Sequence, residues 1–408
     1  MKNISRYILV FIAILSFAVA LPKFYWLVFE KPIRSPFIMY SCIDEDFMII
    51  ENGIRKDLKG NEYTREEFEQ KLPLLNMRQL IVAGVMPDSI KGHEMDPHEI
   101  NSHRSFFRYK PATVFAPKPE LYPLFESESG RAQLEMPQDF FRIQGRMEFV
   151  NAATNKVIEE KTRMFTAVLQ KRGFRFPAKM IEGIPTTRKS CDEGYIVVDA
   201  NDMLYHVKMA QGKPYVKKID LPEGLKFKFI GCVDFKDKKY YCYLFSEDNE
   251  LYVLTQDEYE LIKWSVEGLN PENEEIRIYG DFFNYNVIQV GRNYMKNTVL
   301  DKDYKKVDKY SSSWLKRSDT VQGKVFSYIF PAEVNLEHKY SSFNDFYINR
   351  SKGITWIILN VIFLIIHVVI IRKRRANIKN HIIDLAIIFI TGIYGFIAIN
   401  IFPNKFYD

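Results

Sequence analysis

The 408-residue sequence contains few cysteines and no cysteine motif. None of the four, Cys42, Cys191, Cys232 and Cys242, stands in a C-x-x-C pair or at zinc-finger spacing. A chain of this size with so few cysteines is not built on a disulfide framework. Cys232 and Cys242 could face each other across a hairpin that turns at residues 236–238. Because a cross-strand disulfide has strict geometric requirements, two free thiols are the favoured interpretation.

Motifs for catalysis and nucleotide binding are also missing. The sequence has no P-loop and no G-x-G-x-x-G turn, and residues 127–130 (SESG) do not form the G-x-S-x-G elbow of serine hydrolases. We therefore predict that the protein is not an enzyme and holds no cofactor. Any step driven by ATP would need the ATPase of a partner protein.

The densest group of potential metal ligands is interrupted by Pro97. It consists of His93, Glu94, Asp96, His98, Glu99 and His103. The five-residue spacing of its histidines does not match an i, i+4 pair on a helix, so an exposed polar loop is favoured over a zinc site. Residues 199–202 (DAND) and 247–250 (EDNE) lack the glycine and the distal glutamate of a calcium loop, which favours ordinary turns. We predict no metal site.

The net charge of +6 lies in the two ends of the chain. Residues 1–30 contain three basic residues and one acidic residue, and residues 353–408 contain six basic and two acidic residues. Residues 31–352 therefore carry no net charge, which argues against a nucleic-acid partner.

The first apolar stretch, residues 1–30, predicts a membrane anchor. Lys2 and Arg6 precede the apolar run, and residues 18–20 (AVA) would suit a signal-peptide cleavage site. The apolar run resumes after Pro22 with aromatic residues at 24–26, which is typical of an uncleaved helix that reaches the far interface. An anchor is favoured, and a cleaved signal peptide is the alternative. Both interpretations place residue 31 on the far side of the membrane from the cytoplasm.

The other end of the chain predicts a transmembrane hairpin. Residues 353–371 and 382–403 are each long and apolar enough for a spanning helix. The loop between them, residues 372–381, carries only positive charges: Arg372, Lys373, Arg374, Arg375 and Lys379. Short loops rich in Lys and Arg stay in the cytoplasm. We therefore predict three transmembrane helices in a bacterial inner membrane, with the lipid bilayer as a partner, a cytoplasmic N-terminus, periplasmic residues 31–352 and a short external tail at 404–408.

Two ionisable residues interrupt this hairpin. His367 lies five residues before the first arginine of the loop, and Asp384 lies four residues after Asn380. An antiparallel hairpin brings them to a similar depth, and ionisable groups in a bilayer usually pair or mark a pathway. His367 and Asp384 are therefore our candidate intramembrane polar pair. The alternative is that both side chains reach interfacial water. Asn360 and Asn400 could bond between helices.

The residues between the membrane segments predict an α+β subdomain followed by β-blades. In residues 31–180, Thr64 and Glu67 form a capping box for a helix that reaches about residue 83 and kinks at Pro73. In residues 181–352, similar strand patterns begin at positions 195, 241 and 276, and Leu204 and Leu251 are separated by 47 positions. Such a period is typical of β-propeller blades. The predicted fold is a mainly-β, propeller-like ectodomain on three transmembrane helices. The alternative is a β-sandwich or an incomplete propeller closed by N-terminal residues.

Several segments resemble an uncharacterised family of bacterial inner-membrane proteins. They are residues 63–70 (YTREEFEQ), 122–127 (YPLFES), 146–151 (RMEFVN), 172–177 (RGFRFP) and 401–408 (IFPNKFYD). None of them is a catalytic or binding motif. Members of that family are often encoded beside an ABC-transporter ATPase. The resemblance therefore implies an accessory or permease-like component of an ABC-type transport system, with the ATPase or a permease subunit as partner. A membrane-tethered ligand sensor or scaffold without a transporter is the alternative.

Overall fold

The computed structural model describes residues 2–30, 35–114, 118–131, 133–337, 344–351 and 353–404. They fall into two compact units. The β unit comprises Ser35–Ser313, and the helical unit comprises Met1–Arg34 together with Trp314–Asp408. In chain order, the β unit is thus an insertion between two segments that fold together. The boundary that we predicted at residue 180 stays a prediction, and all of the predicted tail except Asn404 lies outside the described residues.

The chain forms ten α-helices and 22 strands among the described residues. The helices are α1 (Lys2–Phe29), α2 (Arg65–Lys71), α3 (Pro73–Ala83), α4 (Pro97–His103), α5 (Pro111–Val114), α6 (Glu159–Lys171), α7 (Val321–Ile329), α8 (Trp356–Lys373), α9 (Ile382–Thr391) and α10 (Ile393–Ile401). The strands are β1 (Phe37–Ser41), β2 (Asp46–Glu51), β3 (Ile54–Lys56), β4 (Ser89–Ile90), β5 (His93–Glu94), β6 (Ser105–Tyr109), β7 (Asp139–Ile143), β8 (Met147–Asn151), β9 (Met180–Gly183), β10 (Tyr195–Val198), β11 (Leu204–Ala210), β12 (Lys213–Ile219), β13 (Phe227–Cys232), β14 (Tyr240–Ser246), β15 (Leu251–Thr255), β16 (Leu261–Lys263), β17 (Glu275–Gly280), β18 (Tyr285–Val290), β19 (Tyr294–Leu300), β20 (Lys306–Ser313), β21 (Ala332–Glu337) and β22 (Asn344–Arg350).

Three antiparallel sheets dominate the β unit, which confirms the prediction of a mainly-β domain. Strands β9–β12 form one sheet, β13–β16 a second and β17–β20 a third, each in chain order, and β6 extends the third sheet beside β17. Leu204 and Leu251 begin β11 and β15, the third strands of their sheets. The predicted 47-residue repeat therefore corresponds to one four-stranded sheet. The described residues do not form a closed ring of such sheets.

The apolar runs of these strands are long because both faces of the sheets are covered. In β10, Tyr195 and Val197 pack with Phe165 of α6 in one apolar cluster. Ile196 belongs to another cluster, with Leu244 of the second sheet. Successive side chains of a strand point to opposite faces, so a strand buried on both sides needs an unbroken apolar sequence such as YIVV.

Local sequence features of the β unit predict their structures well. The Thr64 hydroxyl accepts a hydrogen bond from the Glu67 N–H at 3.2 Å, and the Glu67 carboxylate accepts one from the Thr64 N–H at 2.8 Å. This confirms the capping box. Pro73 separates α2 from α3, because a proline can begin a helix but cannot continue one. Cys232 and Cys242 are opposite each other in β13 and β14, and both are free thiols.

The helical unit contains two helices that are long and apolar enough to cross a membrane. Among the described residues these are Ile4–Phe29 of α1 and Trp356–Lys373 of α8. The structure does not support the third predicted span, at 382–403. That segment forms two shorter helices, α9 and α10, which are separated at Gly392. Two apolar clusters hold the unit together: one joins Ala18 of α1 to Phe330 and Tyr394, and the other joins Val10 to Ile388 and Ala398.

Candidate functional site

A buried ion pair joins the first helix of the helical unit to the last two. The Arg6 Nη1 and Nη2 atoms donate to Asp384 Oδ1 and Oδ2 at 2.9 and 3.0 Å. The two side chains are only 8% and 1% exposed. Arg6 Nε donates to the main-chain carbonyl of Phe402 at 2.8 Å, and His381 Nδ1 lies 3.3 Å from Asp384 Oδ2. We call Arg6, His381 and Asp384, with the Phe402 carbonyl, the polar cluster.

The polar cluster makes α1 part of the folded unit. Two-point contacts between guanidinium and carboxylate are among the strongest charge-assisted hydrogen bonds in proteins. Arg6 precedes residues 18–20, where a signal peptidase would cut, so cleavage would remove it and leave Asp384 buried without its main partner. An unpaired buried charge is strongly destabilising. The choice between an uncleaved anchor and a signal peptide stays a prediction.

Helices α9 and α10 form a hairpin whose two ends meet at Arg6. Asp384 lies in the first turn of α9 and Phe402 directly follows α10, yet both bind the same guanidinium. With 10 and 9 residues, these helices rise about 15 and 14 Å at 1.5 Å per residue. Each is about half as long as the roughly 30 Å hydrocarbon layer of a bilayer. The prediction of one spanning helix at 382–403 is not supported, because one long helix and two half-length helices have the same apolarity and the same total length.

Gly392 and Asn360 make the tight turn of this hairpin. Gly392 adopts φ 61° and ψ −128°, a conformation that side chains with a Cβ rarely take. A Cβ at this position would lie 2.1 Å from Oδ1 of Asn360 on α8. Asn360 Nδ2 donates to the Phe389 carbonyl at 2.8 Å. Because the helix ends at Gly392, the last carbonyls of α9 lose helical partners, and the Asn360 amide satisfies one of them.

His367 lies beside the polar cluster without a hydrogen bond to Asp384. It lines a small cavity together with His381, Asp384 and Asn404. Neither ring nitrogen of His367 has a hydrogen-bond partner among the described residues. The structure thus brings the two predicted residues into one region, but Asp384 is bonded to Arg6 and His381. Sequence reasoning missed both of these partners.

The five predicted basic residues lie at the end of α8 and in the connection to α9. All five, Arg372, Lys373, Arg374, Arg375 and Lys379, are exposed. Arg372 and Lys373 occupy the last turn of α8, where positive charge interacts favourably with the helix dipole.

The histidine-rich segment of the β unit packs against aromatic rings. His103 stacks on Phe282 with ring centroids 4.3 Å apart, and the His93 ring is 5.5 Å from that of Phe283. Across the part of the chain that the structure describes, no three His, Cys, Asp or Glu residues are grouped as metal ligands. The absence of a metal site in the whole chain stays a prediction.

Side chains within or next to the two carboxylate-rich turns make local hydrogen bonds. Asp199 Oδ1 accepts from the N–H groups of Asn201 and Met203 at 2.8 and 2.9 Å. In the equivalent turn of the next sheet, Ser246 Oγ accepts from the Glu250 N–H at 3.0 Å. These bonds are those expected for turns between strands.

His206 is a buried histidine that serves packing. Its side chain is fully buried, with Nδ1 2.8 Å from the Tyr259 hydroxyl and Nε2 2.5 Å from the Glu193 carbonyl. Burial lowers the pKa of His206 to about 4. The ring is therefore neutral at physiological pH.

Comparison with solved structures yields a distant match. The structure described as dihydro-heme d1 dehydrogenase NirN in complex with DHE is 10% identical to this chain, with a TM-score of 0.20. The match covers 56% of this chain and 67% of that chain. No curated protein sequence matches.

The sequence profile of one protein family covers most of the β unit. The family is described as a domain of unknown function (DUF4857), and its profile matches residues 37–299. This region begins at β1 and ends within β19. The chain therefore belongs to the DUF4857 family.

Proposed function

We propose that this protein is a non-enzymatic inner-membrane component of an ABC-type transport system, with the β unit outside the cytoplasm. The observation that carries the membrane assignment is the buried Arg6–Asp384 pair. Charged residues in membrane helices are costly and persist where they are paired inside the bundle. The pair thus gives both charges a partner within an otherwise apolar set of helices.

The proposed topology has two spans and one re-entrant hairpin. Helix α1 leaves the cytoplasm, and α8 returns to it, with the exposed basic residues at its cytoplasmic end. Helices α9 and α10 enter the bilayer and return, so that Asn404 is on the cytoplasmic side. Their turn at Gly392 is buried against Asn360 of α8, as a break in a helix at membrane depth requires. With three spans the C-terminal end would be external, whereas in this topology it is cytoplasmic.

Cysteine labelling tests the topology. In a variant without the four native cysteines, Asp408→Cys reports the C-terminal side and Arg78→Cys, an exposed position in α3, reports the β unit. A membrane-impermeant maleimide added to spheroplasts should label Arg78→Cys at once and Asp408→Cys only after lysis. Labelling of Asp408→Cys in intact spheroplasts would contradict the re-entrant hairpin and restore a third span.

The association with a transporter rests on the family resemblance described above. Apolar side chains on both spanning helices are available for docking on a permease subunit, including Leu27 (82% exposed) and Ile358 (60% exposed). The basic residues could meet either an ATPase or anionic lipid headgroups. The β unit supplies the surface for a periplasmic ligand or partner.

Purification in a mild detergent from the native host tests the association. An ABC-type ATPase or permease subunit should co-purify with the full chain. In a variant with Arg372, Arg374, Arg375 and Lys379 changed to Gln, loss of the ATPase would assign the basic residues to that contact. Unchanged recovery would assign them to lipid. Repeated absence of any transporter subunit from the wild-type preparation would refute the transport role and favour a tethered sensor.

A further inference from the structure

A cleft in the β unit combines apolar walls with a half-buried arginine. Its volume is about 370 Å³, which is within the range of about 300–1,000 Å³ that is usual for small-molecule sites. Strand β1, the corner between α2 and α3, β6 and the end of β17 supply its walls. The main apolar contributors are Met39, Leu72, Leu74, Leu75, Phe106 and Tyr279.

The corner between α2 and α3 holds one wall in place. Leu72 has φ −123° and ψ 59°, so the helix is interrupted there, and Pro73 begins the next helix. Asn76 Nδ2 donates to the Glu69 and Leu72 carbonyls at 3.3 and 3.1 Å, which satisfies groups that the interruption exposes. The wall is therefore a preformed element and needs no ligand to order it.

On the opposite side, β6 and β17 approach each other closely. A Cβ on Gly280 would lie 2.5 Å from Ser105 Oγ and 2.9 Å from the Tyr285 ring. Only glycine allows this approach. Both Ser105 and Gly280 line the cleft, so its polar end has a fixed backbone.

Arg104 stands at this end and is half-buried. Among the described residues, its guanidinium makes no direct hydrogen bond or ion pair, and its charge acts at longer range on the carboxylate of Asp281. Neighbouring cations differ: Lys71 pairs with Asp44 at 2.9 Å, and Lys91 pairs with Glu45 at 2.5 Å. A guanidinium that is partly withdrawn from water and makes no direct ion pair is available to bind an anion.

Asp281 also lines the cleft, and several groups stabilise its charge. Its Oδ1 accepts hydrogen bonds from the N–H groups of Phe283 and Asn284, both at 2.8 Å. Burial raises the pKa of Asp281, while those two N–H groups and the positive charges of Lys302 and Arg104 oppose the rise. Lys302 also donates to the Asp281 carbonyl. Two cations thus act on a single carboxylate, which leaves this end of the cleft with a positive excess.

The thiol of Cys42, which also lines the cleft, is neutral. Burial raises its pKa to about 12. The cleft therefore presents an apolar body with one positive end and no competing anionic thiolate.

We propose that this cleft binds a small amphipathic anion, whose apolar body fills the cleft and whose carboxylate pairs with Arg104. The bidentate geometry of guanidinium suits a carboxylate. This site lies wholly within the β unit, so it stands whether or not the protein works with a transporter. The cleft indicates the chemical class of a ligand, which the membrane topology does not.

The test compares an acid with its neutral amide. The full chain in phosphatidylcholine nanodiscs is titrated calorimetrically with 4-phenylbutyrate and with 4-phenylbutanamide, and the heats from empty nanodiscs are subtracted. A hydrogen-bonded contact with a charged group discriminates by about 10- to 100-fold, so the acid should bind tighter by that factor. Binding of neither compound, or equal binding of both, would overturn the proposal.

Variants distinguish the contribution of the Arg104 charge to binding from the contribution of the shape of the cleft. Arg104→Gln should lower affinity for the acid to that for the amide, and Arg104→Lys should retain a preference for the acid. The matched control Arg78→Gln, at an exposed site outside the cleft, should behave as the wild type. Leu75→Trp, which fills the cleft, should weaken binding of both compounds. An undiminished preference for the acid in Arg104→Gln would place the binding elsewhere and refute the assignment.

Discussion

The Arg6–Asp384 pair predicts an asymmetry between two single substitutions. Asp384→Asn leaves a buried, permanently charged guanidinium without a counter-charge, in contact only with neutral groups: the Phe402 carbonyl, the Tyr7 ring and one amide oxygen. Arg6→Gln leaves a carboxylate that retains His381 at 3.3 Å. Removal of one partner from a buried ion pair costs about 3–5 kcal/mol. We expect Asp384→Asn to fall at the upper end of that range and Arg6→Gln at or below its lower end.

The double variant measures the coupling between the two residues. In Arg6→Gln/Asp384→Asn no charge of the pair is left buried, so the loss of stability should be smaller than the sum of the two single losses. The difference should be about 2–3 kcal/mol, which is large for a directly interacting pair. Arg372→Gln, at an exposed end of α8, is the matched control and should change stability by less than about 0.5 kcal/mol.

The free energy of unfolding can be measured by titration with sodium dodecyl sulfate in mixed micelles, with helical circular dichroism as the readout. Additive losses in the double variant would show that the two residues do not interact and would falsify the polar cluster. A more harmful Arg6→Gln than Asp384→Asn would keep the pair but refute the role given to His381. Intact mass of the mature protein provides an independent check, because the pair requires that residues 1–20 are retained.

Three further predictions concern single positions. His206 has a folded pKa of about 4 against about 6.5 unfolded, so the unfolded chain gains the proton first as the pH falls. Stability should drop between pH 6.5 and 4 by roughly 3 kcal/mol, and His206→Gln should flatten this part of a denaturation series if the assignment is right. Gly392→Ala should destabilise the helical unit by about 1–3 kcal/mol through its positive φ. A second change, Asn360→Ala, should not restore stability, because it leaves the backbone strain in place and also breaks the bond to the Phe389 carbonyl. An unchanged thermal transition in Gly392→Ala would contradict the hairpin turn. Thr64→Ala should cost the β unit about 1 kcal/mol in urea unfolding, whereas Thr64→Ser should restore most of the loss, and equal losses for both would argue against the cap.

Features that depend on neighbouring residues were predictable from the sequence. The capping box at Thr64 follows from a four-residue pattern, and the break at Pro73 follows from the missing N–H of proline. The sheets followed from a repeat of apolar pairs such as Leu204-Tyr205 and Leu251-Tyr252. In each case the physical cause lies within a few residues, or recurs at a fixed interval, so one sequence contains all of the information.

The cleft could not be predicted in the same way. Its residues come from four separated parts of the chain, and a half-buried cation such as Arg104 looks like any other surface arginine in the sequence. The close approach at Gly280 is also invisible, because a glycine near a strand end is equally typical of an ordinary turn.

The hairpin of α9 and α10 shows which inference from sequence was too weak. Asp384 is costly in an apolar segment, and the sequence predicts the neighbouring His367 as its partner. However, a free histidine has a pKa of about 6.5 and is mostly neutral at pH 7, whereas an arginine is always charged. A requirement of charge balance would therefore have favoured a cation at the start of the first apolar run, where Lys2 and Arg6 lie, and Arg6 is the nearer of the two to that run. With Arg6 bound to Asp384, the additional Phe402 contact draws the end of α10 back to the start of α9. One charge pair across 378 positions thus separates a helical hairpin from one long helix, although the apolar pattern is the same in both.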